Sequence, residues 1–289
     1  MNDIRHAAVR RAAMSFSTAL LALASAPAQA LSPVDPGDYT GLPGGSSAAV
    51  FYYQHITADK VYANGAKVQD DLDLKLDVGV LRALHYMNWD SAIVAVEALQ
   101  LFGRQEVGLL GRSMSAAGDL KLGVHYWPLH DLTNNEHLGF TLKLVVPAGN
   151  KGDRGFALSD NRWALNPGVG YIRMLAPRIS LDVAAQLEFY GKNRDTGVER
   201  DAAYYVDTSL SYRLDGGAQL SATYRHTWGA REHLDGATLS GRLNNQSVLL
   251  GWANFLSKNV QLELRYRQDA GTQQGPRLRG LESRLLYLF

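Results

Sequence analysis

Cysteine is absent from the 289 residues. That excludes disulfides and any zinc or iron–sulfur centre built on thiolates. An excess of one charge is missing too, with 29 basic against 28 acidic side chains. A balanced chain has no basic footprint for a nucleic-acid partner. Beyond residue 30 no apolar run approaches the ~18 residues of a membrane-crossing helix. There is no Gly-rich phosphate loop and no His-Glu-x-x-His pair of metal ligands, so no cofactor is expected.

What is present is two-residue alternation. In DLDLKLDV, Asp71, Asp73, Lys75 and Asp77 share one face of a strand, and Leu72, Leu74, Leu76 and Val78 share the other. QLELRYR repeats it, with Glu263, Arg265 and Arg267 against Leu262, Leu264 and Tyr266. A soluble sandwich buries the apolar faces inward; a transmembrane barrel turns them out to lipid and keeps the polar faces inside.

The two ends favour the barrel. Arg5, Arg10 and Arg11 precede the apolar run FSTALLALASA and then Ala28-Gln29-Ala30, the layout of a cleaved secretory signal over residues 1–30. Its removal takes away three arginines and one aspartate, leaving the remainder near neutral. Residues 31–47 then read as a periplasmic N-terminal segment and 48–289 as the barrel. In the last strand, Tyr287 and Phe289 share a face and resemble the membrane-insertion signal by which outer-membrane barrels engage their assembly machinery.

Alternating runs between turn signals number twelve, near 48–60, 69–84, 91–102, 118–127, 137–147, 161–174, 179–190, 201–213, 217–228, 244–255, 259–268 and 279–289. Connections alternate in length. LAPRI, DGG and LSKN are short; 103–117, 147–160, 191–200, 229–244 and 269–277 are long. The reading is an all-β, antiparallel transmembrane barrel of about twelve strands in a Gram-negative outer membrane, with short periplasmic turns and long outer loops. PLHDLTNNEH (128–137) is a longish connection on the short side and fits least well.

Parity then assigns faces. Leu120, Leu122, Val124 and Tyr126, Leu138, Phe140, Leu142 and Leu144, and Leu181, Val183, Ala185, Leu187 and Phe189 are expected to face lipid. Trp163, Tyr171, Tyr212, Tyr224, Trp228, Trp252, Tyr266 and Tyr287 suit interfacial girdles. Expected to line the lumen are Asp73, Lys75, Asp77, Glu97, Asp119, Lys121, His125, Lys143, Arg162, Asp182, Glu188, Asp207, Arg213, Arg225, Glu263, Arg265, Arg267, Glu282 and Arg284. Their near balance of sign implies a cross-linked interior rather than a strongly ion-selective pore, and twelve strands leave limited bore.

Catalysis finds little support. Twelve-stranded outer-membrane lipid hydrolases typically show His-x-Ser on one strand, and none of the eight histidines has serine at that spacing. His226 and His233, with Glu232 and Asp235, flank an outer loop as a metal or acid–base candidate; solvated loop residues are the favoured reading.

At GDLKLGVHYWP (118–128), VVPAGN (145–150) and NRWALNPGVGY (161–171) the chain resembles the SphA-like outer-membrane family named for the phenol-degradation meta-pathway. The resemblance carries a Gly-Asp before one strand, a Pro-x-Gly ending the next, and an Asn-x-x-x-aromatic stretch into a Pro-Gly strand. It implies a transporter passing small aromatic or apolar compounds down a gradient, with outer-membrane lipid and the solute as partners. It supplies no catalytic or ligand residues. Where the family often has Tyr-Asp in the loop after Pro-x-Gly, this chain reads NKGDRGFALSD. Arg154, Phe156 and Trp163 are the capture residues suggested by that loop's cation and aromatics. The alternatives are a closed structural or surface-interaction barrel and, further off, an outer-membrane hydrolase.

Overall fold

The computed structural model describes residues 34–149 and 158–289. Twelve strands close into one antiparallel barrel: β1 Ser47–Ala58, β2 Leu74–Trp89, β3 Ala92–Val107, β4 Arg112–Asp131, β5 Glu136–Val146 and β6 Ala164–Ala176 come first. They are followed by β7 Ile179–Tyr190, β8 Ala203–Arg213, β9 Gln219–Gly229, β10 Leu243–Phe255, β11 Val260–Gly271 and β12 Arg279–Leu288. Each strand pairs with its sequence neighbours, and β1 closes on β12 with Phe51 opposite Leu285. Closure pairs the ladder all the way round, which lipid demands because it offers no alternative partner to a backbone amide. No helix among the described residues is long and apolar enough to cross a membrane.

The side chains sort as alternation requires. Leu122, Val124, Tyr126, Phe140, Leu142 and Leu144 are exposed on the outside, while Gly123, His125, Thr141 and Lys143 between them turn inward. The expected girdle aromatics on β6 and β8–β12 all fall on the outer parity of their strands.

Two connections differ from expectation. The awkward segment 128–137 is largely strand: β4 runs on to Asp131 and β5 begins at Glu136, leaving a turn of residues 132–135. A bulge between Tyr126 and Leu129 takes up Pro128, which has no N–H to give to a ladder. Asp131 then accepts from the amides of Thr133 (2.8 Å) and Asn134 (3.0 Å), fixing a short turn. The long outer loop expected over 103–117 is also strand, because β3 and β4 continue to a tight connection at Gly108–Gly111. These strands are the long ones, 16 residues in β2 and β3 and 20 in β4. At ~3.3 Å per residue and a ~40° tilt, 16 residues rise roughly 40 Å, beyond an apolar belt ~25 Å tall. One side of the barrel therefore stands above the membrane as a ridge.

Candidate functional site in the barrel lumen

The inward rows of β7 to β12 bring opposite charges together across neighbouring strands. Asp207 faces Arg225 in the ladder, and two hydrogen bonds of 2.7 and 2.8 Å join them. Arg265 faces Glu282 at 2.7 Å, and Arg284 faces Glu263 at 3.0 Å. Arg267 reaches Asp269 at 3.4 Å, which also accepts from Ser247 at 2.7 Å. On the opposite wall Glu97 is the hub, held by Arg82 (2.9 Å), His125 (2.8 Å) and Lys143 (3.6 Å). Buried charges survive only when paired in this way, so these networks fix the wall rather than offer free charge to a solute.

The space between the walls is occupied by the chain itself. Residues 34–42, expected as part of a periplasmic lead-in, pack inside the barrel. Asp35 is bound by Arg265 and by Arg284 (3.1 Å), and Asp38 by Arg82 (3.1 Å) and Arg284 (3.6 Å). The Gly37 amide donates to Asp182 at 2.6 Å, and the Tyr39 carbonyl accepts from the Trp127 indole at 2.9 Å. Gly139 and Gly170 make room. A Cβ on Gly170 would overlap the Tyr39 ring, and one on Gly139 would press on Trp127. This stopper leaves a cavity of only about 30 Å³ beside Asp35, Tyr52 and Lys143.

Above it, the ridge side of the lumen is apolar. Leu72, Leu74, Leu76 and Val78 pack with Ile56, Leu101, Leu158 and Leu278. Leu158 enters from the loop before β6, seated against Gly118 and Gly103, where a side chain would collide with it. Asp119 anchors that loop, accepting from the Gly149 amide (3.1 Å), the Ser159 hydroxyl (3.1 Å) and the Asp160 amide (2.9 Å). This gives the Gly-Asp pair its physical role: the glycine makes space for the returning loop and the aspartate ties it down.

Most of the expected lumen residues turn inward: Glu97, Asp119, Lys121, His125 and Lys143 on β3 to β5, Asp182 and Glu188 on β7, Asp207 and Arg213 on β8. Arg225, Glu263, Arg265, Arg267, Glu282 and Arg284 do the same on β9, β11 and β12. Asp73, Lys75 and Asp77 do not, and here the expectation is corrected. Lys75 pairs with Asp73 at 3.1 Å, and Asp77 meets His55 (2.8 Å) and Tyr53 (2.7 Å), all about half exposed on the outside of the ridge. The upper part of β2 stands in water, so its polar face turns out and its leucines turn in. Arg162 is also not a wall residue. It precedes β6 and joins an outer-mouth cluster with Asp160 (2.9 Å), Glu232 (3.8 Å) and Arg200. Burial disfavours both guanidinium charges there. Asp160 and Glu232 outweigh it and raise the pKa of Arg200, whereas Arg162, next to Arg200, is lowered.

The loop candidates disperse. Trp163 is exposed ahead of β6, and Arg154 and Phe156 lie outside the described residues, as does the expected signal segment 1–30. His226 bonds Asn244 at 2.7 Å, His233 meets Asp201 at 3.4 Å, and Glu232 is taken by Arg200 at 2.6 Å. Among the described residues no three such groups come together as a metal site. Tyr287 and Phe289 stack at the end of β12, with centroids 5.5 Å apart.

An apolar belt, a charged lumen and an internal stopper in a closed twelve-stranded wall define a channel-like outer-membrane β-barrel. The chain belongs to the family described as "Putative MetA-pathway of phenol degradation", whose model matches residues 50–285. It is similar to the COG4313 outer membrane channel of Pseudomonas putida F1, with 32% identity, 89% of this chain and 100% of that chain covered, and a TM-score of 0.83. The β domain of the Bordetella autotransporter BrkA shares the fold alone, with 10% identity, 85% and 99% coverage, and a TM-score of 0.51. No curated protein matches the chain.

Proposed function

We propose that this protein is an outer-membrane channel for passive entry of small apolar or aromatic compounds, closed at rest by its own N-terminal segment. The observation that carries this reading is the division of the lumen. Most of its charges are drawn into pairs along the wall, so it presents no column of one sign to guide ions. The ridge side is filled instead by a packed apolar cluster that includes Leu74, Leu76, Val78 and Leu101. An apolar solute gains by leaving water for side chains of this kind when they part to admit it, and it needs no energy source beyond its gradient. Likeness to a protein described as an outer-membrane channel supports the same reading. Export through a cleaved signal at 1–30 and assembly through the β12 end belong to the proposal. No step calls for a nucleophile, so we read the chain as a non-enzyme.

The test is reconstitution in planar bilayers and liposomes of the wild type and of a variant with Asp35→Ala and Asp38→Ala. Release of the stopper should raise conductance several-fold and speed entry of a small aromatic alcohol. A folded, heat-modifiable double variant that stays electrically silent and excludes the alcohol would favour the closed structural barrel.

A further inference from the structure

Beneath the stopper, at the short-turn end, lies a cavity of about 240 Å³. Its two sides differ in chemistry. Leu84, Tyr86, Leu286 and Leu288, from β2 and β12, form an apolar wall. Across from them stand Ser180, Gln219, Gln261 and Arg213, from β7, β9, β11 and β8. The stopper's Pro36 and Gly37 make the roof.

Arg213 is the unusual member. The other arginines on this cavity, Arg82 and Arg284, are both committed to carboxylates. Arg178, its neighbour at the same turn, is committed to Asp215. Arg213 lies on the inward parity of β8 and lines the cavity, yet no carboxylate among the described residues pairs with it. Asp182 lines the same cavity, but its carboxylate accepts from the Gly37 amide and makes no ion pair with Arg213. A guanidinium presents a planar fork of donors matched to a carboxylate, and one left unpaired across a cavity from an apolar wall suits a ligand that brings both parts. Size narrows the class. A cavity of about 150 Å³ holds benzene, so 240 Å³ has room for one ring and a short acidic arm.

We infer that this vestibule is a binding site for a small amphipathic anion, an aromatic ring or short alkyl chain carrying a carboxylate, with Arg213 on the carboxylate and the Leu84–Leu286 wall on the apolar part. The inference deepens the channel reading by placing a charge-selective site on its periplasmic side, and rests on that reading only for its biological use. An entering apolar compound and its carboxylated relative would share the apolar wall and be told apart by Arg213.

The test is equilibrium binding to the mature protein in phosphatidylcholine nanodiscs. The probes are 3-phenylpropionate and 3-phenylpropanol, which share the phenylpropyl skeleton and differ in charge. The acid should bind about tenfold more tightly than the alcohol, the worth of one charge-assisted bidentate contact. Arg213→Gln should remove that difference and leave the alcohol unchanged; Arg213→Lys should keep most of it. Leu84→Asn should weaken both probes. Equal binding of acid and alcohol to the wild type, no binding of either, or an Arg213→Gln variant that keeps the preference would each overturn the inference. Liposome entry of the alcohol, measured separately, addresses the channel reading. Binding without entry would overturn that reading alone, and entry without acid preference would overturn this one alone.

Discussion

Strands β2 and β11 look alike on paper, each alternating leucine with charge, yet they are turned opposite ways. In β11, Glu263, Arg265 and Arg267 are buried inside the barrel, and Leu264 and Tyr266 face out. In the upper half of β2, Leu74, Leu76 and Val78 are inside while Lys75 and Asp77 face out. Periodicity establishes that a strand has two faces. Which face is wet depends on height: at the membrane the outside is dry and the lumen polar, and above it the outside is wet and the interior can be apolar. The turnover within β2 falls where outward Asp77 gives way to Gly79 and Leu81, and inward Val80 to Arg82.

Substitutions at matching positions of the two strands should separate these roles. The largest effect is expected from Arg265→Ala, which leaves Glu282 without its partner and Asp35 with Arg284 alone. Breaking a buried ion pair on one side costs about 3–5 kcal/mol, read as a lower urea midpoint in liposomes. Leu76→Ala should follow at about 2–3 kcal/mol, since a fully packed leucine on the ridge leaves a void. The double replacement Lys75→Ser, Asp77→Ser should shift the midpoint by less than about 0.5 kcal/mol, because exposed pairs contribute little. A large loss from that pair would mean its charges lie inside and would remove the contrast between the strands.

The wall was legible from sequence because lipid enforces parity over many residues at once. Leu122 to Tyr126 and Phe140 to Leu144 allow no other register. The stopper was not legible. Its residues Val34 to Leu42 have no repeat, and their place depends on arginines 44 to 249 positions away and on distant glycines. One signal was nonetheless there. Placing Lys75 and Asp77 in the lumen puts Arg82 on the lipid row, where a cation near the bilayer centre costs about 2–4 kcal/mol. That conflict points to an inward Arg82, which meets Glu97 on the wall and Asp38 on the stopper. The vestibule was hidden for a related reason. Arg213 appeared among the lumen residues, but only three-dimensional pairing shows that no carboxylate among the described residues takes it.

The seam between β1 and β12 also governs how the molecule comes into being. The Ser47 amide donates to the Phe289 carbonyl at 2.7 Å, and the Phe289 amide returns a bond to Ser47 at 3.0 Å. The lock between Asp35 and Arg284 spans 249 positions of sequence. Neither contact can form while the chain is still emerging, and contacts between such distant residues are slow to find. Residues 34–42 therefore wait longest for the last of their partners. Asp38 can meet Arg82 of β2 early, but Asp35 has its partners on β11 and β12, so ring closure and full stopper capture share one late step. A lesion in β12 would accordingly release an open sheet with its entrance segment loose, rather than a finished barrel with a gap.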